Sequence, residues 1–249
     1  MKRLVPVLLL LCLPLAVQAA DPDRSLQATS PAAGVNQVTL DAGVGQLKVS
    51  PSADDSVHVQ VTLVRKSENF LWFFHWMSQS TVKAISQISL QQQLQNGTLV
   101  YSLKYPDHFD DGDVKQNWNV QVPARLAMKI SMKVGQLAVN GIGGGVDASL
   151  NVGDMTLNTP GGPMKATVNV GQIRATSGST QPGNVKLSTT IGDARLSMQG
   201  RSSRNDVHRN GLGSSIEVSG KGPDSMQLEI NIGEVTLHIN PAQHAGNAR

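Results

Sequence analysis

The sequence predicts an all-β chain built as a β-solenoid, with coils of about 18–21 residues behind an N-terminal β region. Three observations support this prediction. A glycine motif recurs at regular spacing, apolar and polar residues alternate on both sides of each glycine, and turn-forming Gly and Pro clusters separate the copies. With only 4 Phe, 3 Trp and 2 Tyr among 249 residues, most of the core must be aliphatic.

The chain begins with a segment that has the features of a signal peptide. Lys2 and Arg3 precede an apolar run over residues 4–15, and small residues ending at Ala19 match the positions that a signal peptidase reads. We therefore predict that residues 1–19 are removed on export to the periplasm or the extracellular space. The only cysteine, Cys12, lies in this segment, so the exported chain is predicted to hold no disulfide and no thiol nucleophile.

The charge balance argues against a nucleic-acid partner. The chain carries 21 Lys and Arg against 18 Asp and Glu, and loss of Lys2 and Arg3 leaves 19 basic side chains and a net charge of +1. The nearest approach to a basic face is an arginine-rich stretch that also holds Asp206, and this pattern predicts a solvated loop. Its arginines are Arg195, Arg201, Arg204 and Arg209.

The region ahead of the repeats predicts a flexible segment over residues 20–34 and β structure over 35–123. Strands over 89–94 and 99–103 flank Asn96-Gly97, a dipeptide typical of a two-residue β-hairpin, and residues 118–122 predict another strand. An insertion over 67–82 concentrates the aromatic residues. It predicts either a cap on the end of the solenoid or an exposed patch for a membrane or a protein partner. The patch comprises Phe70, Trp72, Phe73, Phe74 and Trp76.

The repeats occupy residues 124–240 and are followed by a tail, 241–249, that is predicted to be disordered. Each copy has a β-branched residue, Gly, a polar residue and then alternating apolar residues. The glycines from 135 to 233 are spaced 18, 18, 21, 21 and 20 residues apart when a degenerate copy at 212–218 is counted. This period is too short for helix-pair repeats or propeller blades. The repeat glycines are Gly45, Gly135, Gly153, Gly171, Gly192, Gly213 and Gly233.

Coils stacked about 4.8 Å apart would place matching residues in ladders. We expect the glycines at a corner of each coil, the β-branched residues before them in a narrow interior, and the polar residues after them outside. In sequence order the polar ladder keeps its acidic residues apart, as stacked like charges are destabilising. The β-branched ladder is Val134, Val152, Val170 and Ile191, and the polar ladder is Gln136, Asp154, Gln172, Asp193, Ser214 and Glu234.

The order of these features resembles a known family. Val44-Gly45-Gln46-Leu47-Lys48-Val49 and Pro51 come first, and Val122-Pro123-Ala124 then precedes the glycine-marked copies. Over residues 35–240 this arrangement resembles the putative-adhesin, toastrack-type β-solenoid domain of bacterial envelope proteins. The resemblance implies a right-handed β-solenoid exported to the envelope, in a family without an established active site. The insertions at 70–77 and 199–210 depart from the family pattern.

The chain offers weak signals for metal or cofactor binding. Residues 107–113 hold four aspartates but lack the alternate ligand spacing and closing Glu of a calcium loop, so they favour an Asp-Gly turn. The histidines at 58, 75, 108, 208, 238 and 244 show no ligand spacing, and no nucleophile elbow, phosphate loop or zincin motif occurs. We therefore expect no cofactor and no metal.

Two functions follow from these observations. The first is an exported, non-enzymatic envelope protein, a scaffold or adhesin-like interaction module. Its partner would be an envelope protein or a glycan, with peripheral membrane contact through the aromatic insertion. The alternative is a carbohydrate-active β-helix, a polysaccharide hydrolase or lyase that uses an acidic face. Asp154 and Asp193 are expected on that face two coils, about 10 Å, apart, near the outer limit for inverting glycosidases.

Overall fold

The computed structural model of the protein describes residues 24–65, 85–107, 109, 114–198, 201–202 and 207–240. Their strands form one large mixed sheet that is not closed, which confirms the prediction of an all-β chain. No helix in these ranges is long and apolar enough to cross a membrane. The strands are β1 (Arg24–Pro31), β2 (Gln37–Pro51), β3 (Ser56–Arg65), β4 (Ser89–Gln95), β5 (Thr98–Lys104), β6 (Val114–Val122), β7 (Ala127–Asn140), β8 (Val146–Thr159), β9 (Met164–Ser177), β10 (Pro182–Met198), β11 (Arg201–Ser202), β12 (Val207–Asn210), β13 (Gly213–Val218) and β14 (Asp224–Ile239).

The sheet order is β1-β3-β6-β2-β7-β8-β9-β14-β10-β13-β12, with β5 beside β2, β4 beside β5 and β11 beside β10. Six of these strands, β2, β7, β8, β9, β14 and β10, run parallel with their glycines in register, and we call them rungs. Residues 24–31, within the segment expected to be flexible, instead form β1, which pairs antiparallel with β3. Residues 24–31 are therefore part of the sheet, ahead of residue 35, where the sequence predicts that β structure begins.

The predicted hairpin is confirmed. β4 and β5 pair antiparallel from Ser89 opposite Lys104 to Gln95 opposite Thr98. Asn96 has a φ of 51° and Gly97 a φ of 75°, as a two-residue turn with two left-handed positions requires. The strand predicted at 118–122 lies within β6.

Each rung is one long strand with two arms that meet at its glycine. In β9, Ala166 and Val168 are buried before Gly171, whereas Ile173 and Ala175 are buried after it. The buried positions are even-numbered before the glycine and odd-numbered after it, so the period-2 alternation shifts by one residue there. The inward-pointing side chains of both arms consequently belong to one core.

The core is aliphatic along the rungs and aromatic only in the N-terminal part of the described chain. Trp118 and Tyr101 are fully buried there. Beyond the glycines, two interior columns of small and medium aliphatic side chains run from rung to rung. They comprise Leu47, Leu137, Met155, Ile173, Val235 and Ala194, and then Val49, Val139, Leu157, Ala175, Leu237 and Leu196.

The order of the rungs differs from the order of the copies in the sequence. β9 and β10 are consecutive in sequence, yet β14 lies between them and pairs in parallel with both. Gly233 is therefore placed between Gly171 and Gly192 rather than at the end of the stack. Gly213 belongs to β13, which runs antiparallel to β10, so the expectation that Gly213 joins the repeat glycines is not met. The physical reason is that parallel pairing with β9 and β10 gives β14 two full-length partners.

Candidate functional site

The six rung glycines are register partners across adjacent strands, and we call this row the glycine line. Its members have φ values between 132° and 145°, a region that side chains rarely adopt. A Cβ atom on each would lie 1.8–2.0 Å from a backbone carbonyl oxygen of the neighbouring strand, so only glycine fits. In spatial order the line is Gly45, Gly135, Gly153, Gly171, Gly233 and Gly192.

The β-branched residues before these glycines form an exposed ridge, not the interior ladder that was expected. Those on β7, β8, β9, β14 and β10 are 38–48% exposed, because the shift in alternation at the glycine turns the preceding side chain outward. Five successive members, separated by about 4.8 Å per step, make a line about 19 Å long. This aliphatic ridge comprises Val134, Val152, Val170, Ile232 and Ile191.

A ladder of asparagines runs beside the ridge. Asn231 Nδ2 donates to Asn169 Oδ1 at 2.7 Å, and Asn169 Nδ2 donates to Asn151 Oδ1 at 3.1 Å. All three side chains are exposed. Each amide has more donor and acceptor capacity than these bonds use, so the ladder presents a regular row of polar groups to solvent. An apolar line and a hydrogen-bonding line thus lie side by side.

A column of polar residues lies one position after the rung glycines, across the glycine line from the ridge. Gln46 Nε2 donates to Gln136 Oε1 at 3.1 Å. The acidic residues are not kept apart as expected, because β14 brings Glu234 next to Asp193. Arg195 forms ion pairs with both carboxylates, at 3.6 Å to Asp193. This shared cation offsets the repulsion that stacking of like charges would cause.

The rung order also changes the separation of the predicted acid pair. Gln172 and Glu234 lie between Asp154 and Asp193, so the two aspartates are three rungs, about 14 Å, apart. Inverting glycosidases place their two carboxyl groups about 6.5–9.5 Å apart. The expected separation of two coils is therefore wrong, and this pair does not have the geometry of such a site.

One end of the glycine line is closed by Gln116 of β6, which pairs with Gly45. Gln116 is buried, and its Oε1 accepts hydrogen bonds from the Gly43 N–H at 3.1 Å and from the Trp118 indole N–H at 2.9 Å. Its Nε2 donates to the Tyr105 hydroxyl at 2.6 Å. The Gln116 amide therefore binds a backbone N–H, an indole N–H and a phenol hydroxyl at the point where the stack of glycines stops.

The other end is closed by two hydroxyl groups. Ser214 Oγ accepts from the Ala194 N–H at 2.7 Å, and Thr189 Oγ1 donates to the Gly192 carbonyl at 2.9 Å. The Ser214 N–H in turn donates to Thr189 Oγ1 at 3.0 Å. These groups take the place that the next rung would occupy, which explains why Ser214 replaces an acid or an amide in the degenerate copy.

A third polar group, missed by the sequence analysis, lies at the start of β3. His58 Nε2 is 2.9 Å from Asp54 Oδ1, and His58 Nδ1 is 3.2 Å from the Thr29 hydroxyl. Thr29 and His58 are direct cross-strand partners on an exposed face. Hydrogen bonds from Ser52 and then His58 lower the pKa of Asp54. The spacing of Asp54 and His58 in the sequence was the available signal.

Several predicted residues lie outside the part of the chain whose side chains are described. Of the acidic segment, Asp107 is described, in the turn after β5. Within the described ranges no group of three or more His, Cys, Asp or Glu side chains could hold a metal ion. The residues whose side chains lie outside the described part are Phe70, Trp72, Phe73, Phe74, Trp76, His75, His108, Asp110, Asp111, Asp113, Arg201, Arg204, His208, Arg209 and His244.

Comparison with known proteins gives a structural likeness only, since no family model and no curated protein matches the chain. A putative cell adhesion protein from Clostridium sporogenes has a TM-score of 0.51 at 14% identity, over 88% of this chain and 99% of its own. A putative adhesin from Bacteroides fragilis has a TM-score of 0.30 at 11% identity, over 87% and 97% of the two chains. One from Parabacteroides distasonis has a TM-score of 0.24 at 12% identity, over the same shares.

The first likeness shows a shared fold. At 14% identity it carries no information about a shared ligand or activity, and the TM-scores of the other two proteins are too low to support an inference. This chain is therefore an all-β protein with the fold of the Clostridium sporogenes protein.

Proposed function

We propose that this protein is an exported, non-enzymatic envelope module of the putative-adhesin family, and that it binds its partner through the corner formed by the aliphatic ridge and the asparagine ladder. The observation that carries the proposal is the exposure of five β-branched side chains in one straight row. Contiguous exposed apolar surface rimmed by polar groups is typical of interaction sites. The adhesion role in the name of the Clostridium sporogenes protein agrees with this proposal.

The proposal includes a right-handed solenoid as the winding of the rungs. β8 and β9 are each 14 residues long, and only residues 160–163 connect them. A straight strand of that length would span about 46 Å. A connection of four residues reaches at most about 17 Å. A rung whose two arms fold back as a coil would bring its end close to the start of the next rung, and these lengths therefore support the proposed winding.

Export is proposed from the N-terminal pattern. Lys2, Arg3 and the apolar run over residues 4–15 have the order of a signal peptide. The confinement of the only cysteine to this segment agrees with a chain that reaches its final compartment without needing a disulfide.

Binding is favoured over catalysis by the way the ionisable groups are distributed. Of the acidic residues in the polar column, Asp154 lies apart from the others, and the neighbouring Asp193 and Glu234 both pair with Arg195. Catalytic carboxyl pairs need close, fixed geometry at one point. The ridge repeats a Val or Ile side chain over five rungs and the ladder repeats an Asn over three, and such rows suit an extended partner that contacts several rungs weakly.

The proposal is tested by binding of the labelled, purified protein to whole bacterial and epithelial cells, measured by flow cytometry. The variant Val152→Lys with Val170→Lys places two charges in the ridge, and we expect it to lose saturable binding. The control variant, Asn140→Lys with Asn158→Lys, adds the same charge to exposed positions on the other arm. It should bind as the unchanged protein does.

Equal binding by the ridge variant and the control would refute the role of the ridge. Export is tested separately by fractionation of cells that express the chain with and without residues 1–19. The full chain should appear outside the cytoplasm in a shortened form, and an unprocessed cytoplasmic chain would contradict the proposal.

A further inference from the structure

The C-terminal strand fills a slot inside the stack. β9 and β10 are joined by residues 178–181 but are not hydrogen-bonded to each other, because β14 lies between them. Two rung spacings, about 9.6 Å, separate β9 from β10. Without β14, these two strands would have facing edges with unpaired backbone groups, and such edges favour the addition of another strand.

β14 fits this slot over its whole length. Met226 to Ile239 pairs with Met164 to Ser177 of β9 and with Val185 to Met198 of β10, in parallel on both sides. It also buries an apolar face against the core. The buried side chains of this face are Met226, Leu228, Ile230, Val235, Leu237 and Ile239. One strand thus supplies both the hydrogen bonds and the apolar surface that the slot lacks.

The connection into the slot is short and tightly packed. Residues 219–223 lead from β13, on one side of β10, to β14 on the other side, and they cross the start of β10. The Gly222 N–H donates to the Pro182 carbonyl at 3.2 Å. A Cβ on Gly222 would lie 1.9 Å from the Gln181 oxygen, and a Cβ on Gly220 would lie 2.3 Å from the Gly183 oxygen.

We propose that the slot between β9 and β10 is a strand-exchange site, filled by the chain's own β14 or by β14 of a second copy. A second copy's strand would make the same pairs in the same register. The two forms therefore differ only in the path of residues 219–223, and the ratio of exchanged dimer to monomer depends on the protein concentration. Exchange of an identical terminal element is a low-cost route to a dimer, and a short, crowded hinge favours it. The dimer would carry two aliphatic ridges and could bind a repetitive partner with greater avidity.

The test is a disulfide that reports which chain fills the slot. Thr236 of β14 and Arg174 of β9 are register partners, and Cys12 is the only native cysteine. The full chain carrying Cys12→Ser, Arg174→Cys and Thr236→Cys is refolded at increasing concentration, oxidised, and analysed on a non-reducing gel. A strand in its own chain gives an oxidised monomer, whereas an exchanged strand gives a covalent dimer.

We expect the covalent dimer to increase with concentration. Addition of Gly222→Ala should raise its fraction several-fold, because the Cβ blocks the crossing that the monomer needs. Gly143→Ala is the matched control, since its Cβ would meet nothing closer than 3.5 Å. An oxidised monomer at every concentration would overturn the proposal, as would free thiols in all species, since they would contradict the register itself.

Discussion

The glycine line makes a sharp prediction for the variant Gly153→Ala. Gly153 has a φ of 137°, and strain at such a position costs a side chain about 1–3 kcal/mol. The new Cβ would lie 1.9 Å from the Gly135 oxygen and must move about 1.1 Å to reach the 3.0 Å that real contacts show. A shift of that size between rungs breaks about two ladder hydrogen bonds, at about 1 kcal/mol each. The variant should therefore lose about 3–5 kcal/mol of its free energy of unfolding.

The measurement is urea unfolding followed by circular dichroism. Gly34→Ala is the control, because Gly34 also has a left-handed φ, 74°, but nothing lies within 4 Å of its Cβ position. The free energy of unfolding of this variant should fall only by the cost of a left-handed backbone at a residue with a side chain, about 1–2 kcal/mol. Equal losses in the two variants would refute the claim that the glycine is required by the close approach of the neighbouring rung.

Three further predictions concern hydrogen bonds and titration. Gln116→Ala removes the acceptor of two buried donors and should lower the free energy of unfolding by about 2–3 kcal/mol in urea titrations. A loss below about 0.5 kcal/mol would be inconsistent with the role of Gln116 at the end of the glycine line. Asn169→Ala breaks two exposed bonds and should cost only about 1 kcal/mol by the same method, so a loss as large as that for Gln116→Ala would contradict the exposure of the ladder. Burial raises the pKa of Tyr101, partly offset by its hydrogen bond with Ser30, so the unfolded state ionises first and stability should fall as the pH rises above 10.0. Tyr101→Phe should flatten that profile, measured as thermal unfolding against pH, and an unchanged slope would count against the assignment.

The features that the sequence predicts well depend on neighbouring residues. The hairpin at Asn96-Gly97 follows from two residues that tolerate left-handed backbone. The register of adjacent rungs follows from the glycines, because each of them packs against the next and no other residue fits. Both features are encoded within a few positions of the chain.

The sequence places the ridge residues in the interior only if the alternation of buried and exposed side chains continues unchanged through the glycine, and it does not. At Gly171 the buried positions change from even to odd numbers, so Val170 points outward although Val168 points inward. The pattern of residue types is compatible with either arrangement. The backbone conformation at the glycine decides between them, and the sequence does not report it directly.

The order of the rungs was missed for a different reason. The copies resemble one another, so any of them offers an acceptable partner to any other, and local pattern cannot distinguish β10 from β14 as the neighbour of β9. Pairing across 62 residues, as between Asn169 and Asn231, has no local signal. Gln116 and Ser214 close the two ends of the glycine line through contacts that are also distant in the sequence, so their roles were missed for the same reason.

The exposure of the ridge is the central claim, and alkylation of single cysteines tests it most directly. Each variant carries Cys12→Ser and one new cysteine, at Val152 or Val170 of the ridge, or at Leu150 or Val168 two residues earlier. We predict rapid labelling at the two ridge positions and labelling at least about a hundredfold slower at the two core positions, because the core must open before it reacts. Slow labelling at all four positions would return the β-branched residues to the interior and contradict the account.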